Sequence, residues 1–328
     1  MELHEPLSVA VWRYDRTQGL YDGRINIPGR KMALIDAPLE EIFSRAFEKA
    51  EFHVSELSFS NYLRLSVDKK CPYIGIPIFP SRSFRHGAFY IRTDAGITTP
   101  RDLVGKRVGV REYSMTAALA ARGALRDQFG VKSEDMSWVT GDVDEKERDQ
   151  INLPRLYRKI DIAVAPQGAL LSQMLVEGEI DALLAYKPIA PFKASDPRVS
   201  RLFPDPESVE ERYFRDTGIF PIMHLIGIRR DVAEAHPELP AEIFRAFRAA
   251  QDMATDDLHL EQALKIALPW LAREIRRTTE IMGADYWAAG FKANRAVVER
   301  MIEWSFEDGL IPLRVSPESL FFDGVLDT

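Results

Sequence analysis

The chain has 328 residues, 46% hydrophobic and 28% charged, an ordinary globular composition with enough length for two lobes that each bury a core. A formal net charge of −7 excludes the basic face that a nucleic-acid partner needs, so an anionic ligand must be met by a local cluster. The single Cys71 excludes an internal disulfide and Cys-rich metal spacing, and no apolar run reaches the length of a membrane span. The first residues, Met-Glu-Leu-His-Glu-Pro, are acidic where a secretory signal is basic, so the expectation is a cytoplasmic protein without membrane or nucleic-acid partners.

In chain order, Leu7 to Trp12 alternates as a first strand and delivers Arg13, Tyr14 and Asp15 to a sheet edge. Tyr14 there suits a ligand contact or a turn, and Gly19, Gly23, Pro28 and Gly29 then mark a loop. Lys31 to Asp36 reads as a second strand, followed from Pro38 by a helix with Leu39, Ile42, Phe43, Ala46, Phe47 and Ala50 on one face. Phe52 to Leu57 is a third strand. Ser58-Phe59-Ser60-Asn61-Tyr62 opens a helix whose free N–H groups can bind a carboxylate or be capped by its own serines.

Tyr73 to Phe79 is an apolar run of β-formers, and the break at Pro80 throws Ser81-Arg82-Ser83-Phe84-Arg85-His86 out at the strand's carboxyl end. Open α/β sheets place ligands there. Two guanidiniums beside an imidazole offer forked anion binding next to a group that titrates near neutrality, and the same residues also suit surface ion pairs around a buried histidine.

After Gly87 to Arg92 a linker runs through Thr98 to Lys106, and Arg107 to Arg111 begins a second βα series. Glu112-Tyr113-Ser114-Met115-Thr116 lies between that strand and a long helix, with Ser114 or Thr116 as its cap. Asp142 to Asp149 is acidic but lacks calcium-loop spacing and reads as a solvated loop. Ile180 to Tyr186 is a buried strand that brings Tyr186 and Lys187 to another carboxyl end, and Pro188 to Pro221 suits a surface connection rich in proline and charge. Ile222 to Ile228 returns as a strand carrying His224, preceded by Phe220-Pro221. From Pro240 to Asp308 the pattern is helical, with Trp270, Trp287 and Trp304 as packing anchors. Trp287 and Phe291 suit internal packing or the face of a homo-oligomer.

Two βα series joined by a linker predict an α/β molecule of two lobes, 1–95 with 222–328 and 96–221, hinged about a cleft that collects strand-end residues. The pair Asp102-Leu103-Val104-Gly105-Lys106-Arg107-Val108-Gly109-Val110 and Leu175-Val176-Glu177-Gly178-Glu179-Ile180-Asp181-Ala182 resembles type 2 periplasmic-binding proteins. A narrower resemblance spans nearly the whole chain. Glu56 to Tyr62, Ser81 to His86, Gly109 to Ala117, Arg201 to Asp205, Thr217 to His224 and Met282 to Trp287 together look like the 4,5-dihydroxyphthalate decarboxylase family, cytoplasmic enzymes on the binding-protein fold.

That resemblance implies loss of CO₂ from a dihydroxylated aromatic diacid to give 3,4-dihydroxybenzoate, without an organic cofactor. The site then needs an acid over the ring carbon, cations for the retained carboxylate and partners for the phenols. On this expectation His86 and His224 are the candidate acids, with Glu112 tuning one of them, and Arg82 and Arg85 hold the carboxylate. Ser81, Tyr113, Ser114, Thr116, Tyr14, Asn61, Tyr186 and Phe220 complete the expected contacts with a small aromatic acid. No metal-ligand spacing is present, and the alternative is that the two histidines and Glu112, from distant segments, converge on a metal ion. The alternatives are a noncatalytic carrier of a small organic acid and a decarboxylase of a related hydroxyaromatic acid.

Overall fold

The computed structural model describes residues 6–147, 151, 153–260, 262 and 264–328. The acidic start and Asp149 of the acidic loop lie outside them. Among the described residues no helix is long and apolar enough to cross a membrane.

The strands are β1 (Leu7–Ala10), β2 (Met32–Ile35), β3 (Val54–Ser58), β4 (Tyr73–Arg82), β5 (Phe89–Arg92), β6 (Arg107–Val110), β7 (Ser137–Thr140), β8 (Asp161–Val164), β9 (Ala182–Leu184), β10 (Val199–Arg201) and β11 (Ile222–Arg229). They form two α/β units, each with its own mixed sheet.

The first unit comprises the chain up to Arg82, Ile222–Glu299 and Val315–Thr328. Its sheet runs β2-β1-β3-β11-β4, with β1 parallel to β2 and β3, and β11 antiparallel to β3 and β4. One face is sealed by the helix Leu239–Leu258, whose Ile243, Ala246, Phe247 and Ala250 recur at helical spacing and share a core with Leu7, Val9, Ile226 and Ile228. Each fully buried aliphatic side chain there contributes about 1.5–3 kcal/mol.

The break expected at Pro80 is a bulge within a longer strand. Pairing of β11 with β4 steps from Ile222–Arg82 to His224–Ser81 and then to Ile226–Ile76, so residues 77–80 bow out of the ladder. Pro77 and Pro80 have no N–H to give, and β4 is an edge strand, where proline is tolerated. The bowed carbonyls find donors elsewhere: Pro77 O accepts from Gly290 N at 2.8 Å, Phe79 O from Trp287 Nε1 at 3.0 Å and Pro80 O from Arg16 Nε at 2.5 Å.

The second unit comprises Ser83–Pro221 and Arg300–Arg314, with sheet order β10-β5-β9-β6-β7-β8. The boundary therefore falls at Arg82 and not near residue 95, because β5 pairs antiparallel with β9 and β10. Residues 300–314 also depart from the expected division. Asp308 forms a buried ion pair with Arg122, 2.7 Å from Asp308 Oδ2 to Arg122 Nε, and Trp304 covers Gly123.

Helices lie where the sequence reads as loop, among them a short one at Ala190–Lys193 and two longer ones. Asp15–Tyr21 is helical despite Gly19, and Pro206–Thr217 is helical within the stretch rich in proline and charge. The second has a recognisable start, since the Asp205 side chain accepts from Ser208 N and Pro206 follows it.

Candidate active site

The carboxyl edge of the first sheet brings Tyr14, Ser81 and His224 together around a residue that sequence reasoning left unassigned, Glu56. In β3 the apolar Val54 and Leu57 set the burial, and Glu56, 0% exposed, shares it. Its carboxylate has three donors: Trp12 N at 2.8 Å, Tyr14 Oη at 2.7 Å and His224 Nδ1 at 2.6 Å. A buried carboxylate needs such company to persist. The chain steps from β1 to β2 on one side and reaches β3 on the other, so the first two donors come from the segment after β1 and the acceptor from β3, at the topological switch point of the sheet.

His224 stands opposite Ser81 in β4 and Ser58 in β3. The bulge beside it and the edge of the Phe43 ring, 4.9 Å away at 74°, fix the imidazole, whose side chain stays 16% exposed. Among the described residues Nε2 has no hydrogen-bond partner, so one ring nitrogen is tied to Glu56 and the other is available. Tyr14 is pushed well above the usual phenol range by burial and then by the Glu56 charge, and so remains a neutral donor. Arg16 stacks on Tyr14 at 4.0 Å and on Trp287 at 4.5 Å.

The remaining expected residues are placed differently. Arg82 is in the core of the first unit, its Nη2 bonded to Asn294 Oδ1 and, at 3.1 Å, to Ala288 O, and burial pushes its pKa down to about 9. It braces the interior in place of clamping a ligand. Asn61 lies in the first turn of the helix Phe59–Val67, its Oδ1 accepting from Arg64 Nη1 at 3.0 Å.

In the second unit, His86 is 2% exposed between Phe203 and Tyr213, with Nε2 2.9 Å from Gln128 Oε1. Burial pushes its pKa down to about 4, which keeps it neutral at neutral pH and unsuited to the part of a resting acid. The carboxylate near it is Glu210, 3.9 Å from Nδ1, and not Glu112. Glu112 accepts from the Ser114 hydroxyl at 2.7 Å, and neither Ser114 nor Thr116 caps the helix Thr116–Phe129, where Met115 holds the cap position without a side-chain bond. Tyr113 is core, edge-on to Trp138 and beneath the Arg122 guanidinium. Phe220 stacks on Phe84 at 4.8 Å.

Arg85 and Tyr186 are half-buried in the second unit. Arg85 Nε has no partner among the described residues, and burial lowers its pKa against the pull of Glu210 and Tyr186, so it stays a candidate for anion binding. Among the described residues no group of three or more His, Cys, Asp or Glu side chains is arranged to hold a metal ion.

The signal for Glu56 was a lone charge inside an apolar strand, which demands partners wherever it occurs. Arg16 gave none, because its helix reads as a glycine-marked loop. Chemically, the first unit offers an imidazole with one free nitrogen, a neutral phenol and a stacked guanidinium, a set able to bind an anion and move one proton.

No protein-family model matches the chain. It is 38% identical over 323 residues to the 4,5-dihydroxyphthalate decarboxylase of Comamonas testosteroni, which covers 98% of each protein. It is 39% identical over 209 residues to the Pseudomonas putida protein of the same name, covering 64% of this chain and 81% of that one. The fold is similar to that of the periplasmic aliphatic sulphonate binding protein SsuA from Escherichia coli, at 14% identity, 99% coverage of each chain and a TM-score of 0.55.

Proposed function

The chain belongs to the 4,5-dihydroxyphthalate decarboxylase family, and from that membership we propose that it converts 4,5-dihydroxyphthalate to 3,4-dihydroxybenzoate and CO₂ with His224 as the proton donor. The chain is a carboxy-lyase acting on a small aromatic acid. The observation that carries the reading of the site is the Glu56–His224 pair: a buried carboxylate holds Nδ1, and Nε2 has no partner among the described residues.

Each carboxyl of this substrate is para to a phenol. Electron density from that oxygen raises the basicity of the ring carbon, and a proton from the His224 imidazolium Nε2 forms a new C–H bond there. The bond to the carboxylate then breaks, its electron pair returns to the ring, and CO₂ leaves. Solvent returns the proton to the imidazole. General acid catalysis of this kind contributes about 10²- to 10⁴-fold. Tyr14 fixes the Glu56 carboxylate, and the proposal assigns Ser81, opposite His224 and bonded through its side chain to Tyr14, to a substrate oxygen. Phenol-driven ring protonation requires no organic cofactor, so none is part of the proposal.

The packing of Trp287 and Phe291 supports the internal use of both. Phe291 is 4% exposed and packs on Phe321, while Trp287 covers Arg16.

The test is CO₂ release from 4,5-dihydroxyphthalate and from monohydroxylated and unhydroxylated phthalates, with and without a chelator. Release only where a hydroxyl lies para to a carboxyl is expected, unchanged by chelator. Binding without release would make the chain a carrier, and inhibition by chelator would bring a metal ion into the mechanism.

A further inference from the structure

The decarboxylation reading leaves open what recognises the second carboxylate of the substrate, since Arg82 is committed to Asn294 and Ala288. The first unit contains another guanidinium at the carboxyl edge of its sheet, held from three sides. Arg16 lies between the faces of Tyr14 and Trp287, at 4.0 and 4.5 Å, and its Nε donates to Pro80 O at 2.5 Å. Trp287 is itself fixed, its indole N–H on Phe79 O and its carbonyl accepting from Gln251 Nε2 at 2.6 Å. Two of the three carbonyls freed by the proline bulge therefore position this one group.

Arg16 is joined to the His224 site on two sides. The Tyr14 ring that it stacks on donates to Glu56, and the Pro80 carbonyl that it binds precedes Ser81, the residue opposite His224. Among the described residues its one carboxylate ion-pair partner is Asp15, 2.9 Å from Nη1, a neighbour in sequence that is 49% exposed. Such exposed pairs are weak. Among the described residues Nη2 has no hydrogen-bond partner, and the side chain is 19% exposed.

We propose that Arg16 is the specificity-determining receptor for the retained carboxylate, so that the site selects an aromatic ortho-diacid over a mono-acid. The proposal rests on the decarboxylase reading for its substrate and on the stacked guanidinium for its geometry. A guanidinium locked between two rings forms a charge-assisted pair with little ordering cost, which a flexible ammonium cannot match. Burial depresses the basicity of Arg16 more than Asp15 restores it, the condition in which an arriving anion is most strongly held.

The experiment measures dissociation constants of phthalate, a diacid without phenols, and of catechol, the ring without carboxylates, for the wild type, Arg16→Gln and Arg16→Lys, together with turnover of 4,5-dihydroxyphthalate. Thermal transitions confirm folding, and Arg16→Lys keeps the charge should Arg16→Gln fail to fold. Arg16→Gln is expected to weaken phthalate by about 30- to 1,000-fold and Arg16→Lys by less, with catechol unchanged within about threefold. Phthalate binding equal to wild type in Arg16→Gln, or equal losses for phthalate and catechol, would overturn the receptor. If phthalate depends on Arg16 but the wild type releases no CO₂, the receptor stands and the decarboxylase reading falls. If Arg16→Gln turns over the diacid with wild-type KM, the reverse holds.

Discussion

His224 and Glu56 meet diagonally across two antiparallel strands, with Nδ1 and Oε1 2.6 Å apart. Ser58 is opposite His224, and Glu56 is opposite Ile226. Paired residues share a face and every second residue returns to it, so the imidazole and the carboxylate project from the same side of the sheet. The pair is thus fixed by sheet register, which a slip of one residue would destroy.

Glu56→Gln keeps the shape of the side chain but removes its charge and one acceptor. A fall in kcat of about 10- to 1,000-fold with little change in KM is expected in steady-state assays. Glu56→Ala would strand three donors, Trp12 N–H, Tyr14 O–H and His224 Nδ1–H, and is expected to destabilise the fold by about 3–5 kcal/mol in urea unfolding.

His86 should reveal itself through stability and not through turnover. Its folded pKa near 4 lies below the ordinary value of about 6.5, so between these values the unfolded chain binds a proton that the folded chain does not. Stability therefore falls as pH drops from about 6.5 to about 4, by up to about 3 kcal/mol, and levels off below. Burial raises the pKa of Glu210, which gives it the opposite slope, so the comparison is wild type against His86→Gln. The variant should show a flatter pH dependence of unfolding and should retain turnover at neutral pH.

Arg82→Met tests whether that guanidinium braces or binds. Loss of its bonds to Asn294 and Ala288 should cost about 1–3 kcal/mol in unfolding experiments while KM for the diacid stays at the wild-type value. A KM raised tenfold or more, about 1.4 kcal/mol, would return Arg82 to the site.

Much of this organisation was legible in the residues. Apolar runs marked β4, β9 and β11 because strands buried on both faces have no alternation to obscure them. His224 stood out as the polar residue in such a run. Other parts depended on pairing. Arg82 closes β4 and His86 follows it, and only contacts with Asn294 and Gln128 reveal that they turn inward. Glu56 was visible as a charge in an apolar strand, but its three donors come from segments 42 to 168 residues away. Arg16 was hidden because Gly19 and Gly23 suggested a loop where tertiary packing imposes a helix.

Gly123 offers a check on the second unit alone. A Cβ there would lie 2.3 Å from Trp304 Cδ2, so Gly123→Ala should destabilise by about 1–3 kcal/mol, against the stabilisation of about 1 kcal/mol that alanine brings to an open helix position. Thermal unfolding of the variant gives the sign directly.

The most direct measurement is CO₂ release from 4,5-dihydroxyphthalate by His224→Gln, with phthalate affinity determined on the same preparation. The account predicts kcat at least about 100-fold below wild type with phthalate bound within about threefold of its normal affinity. Turnover at the wild-type rate would contradict it, because the account gives the proton transfer to His224, the imidazole held by the buried Glu56 carboxylate.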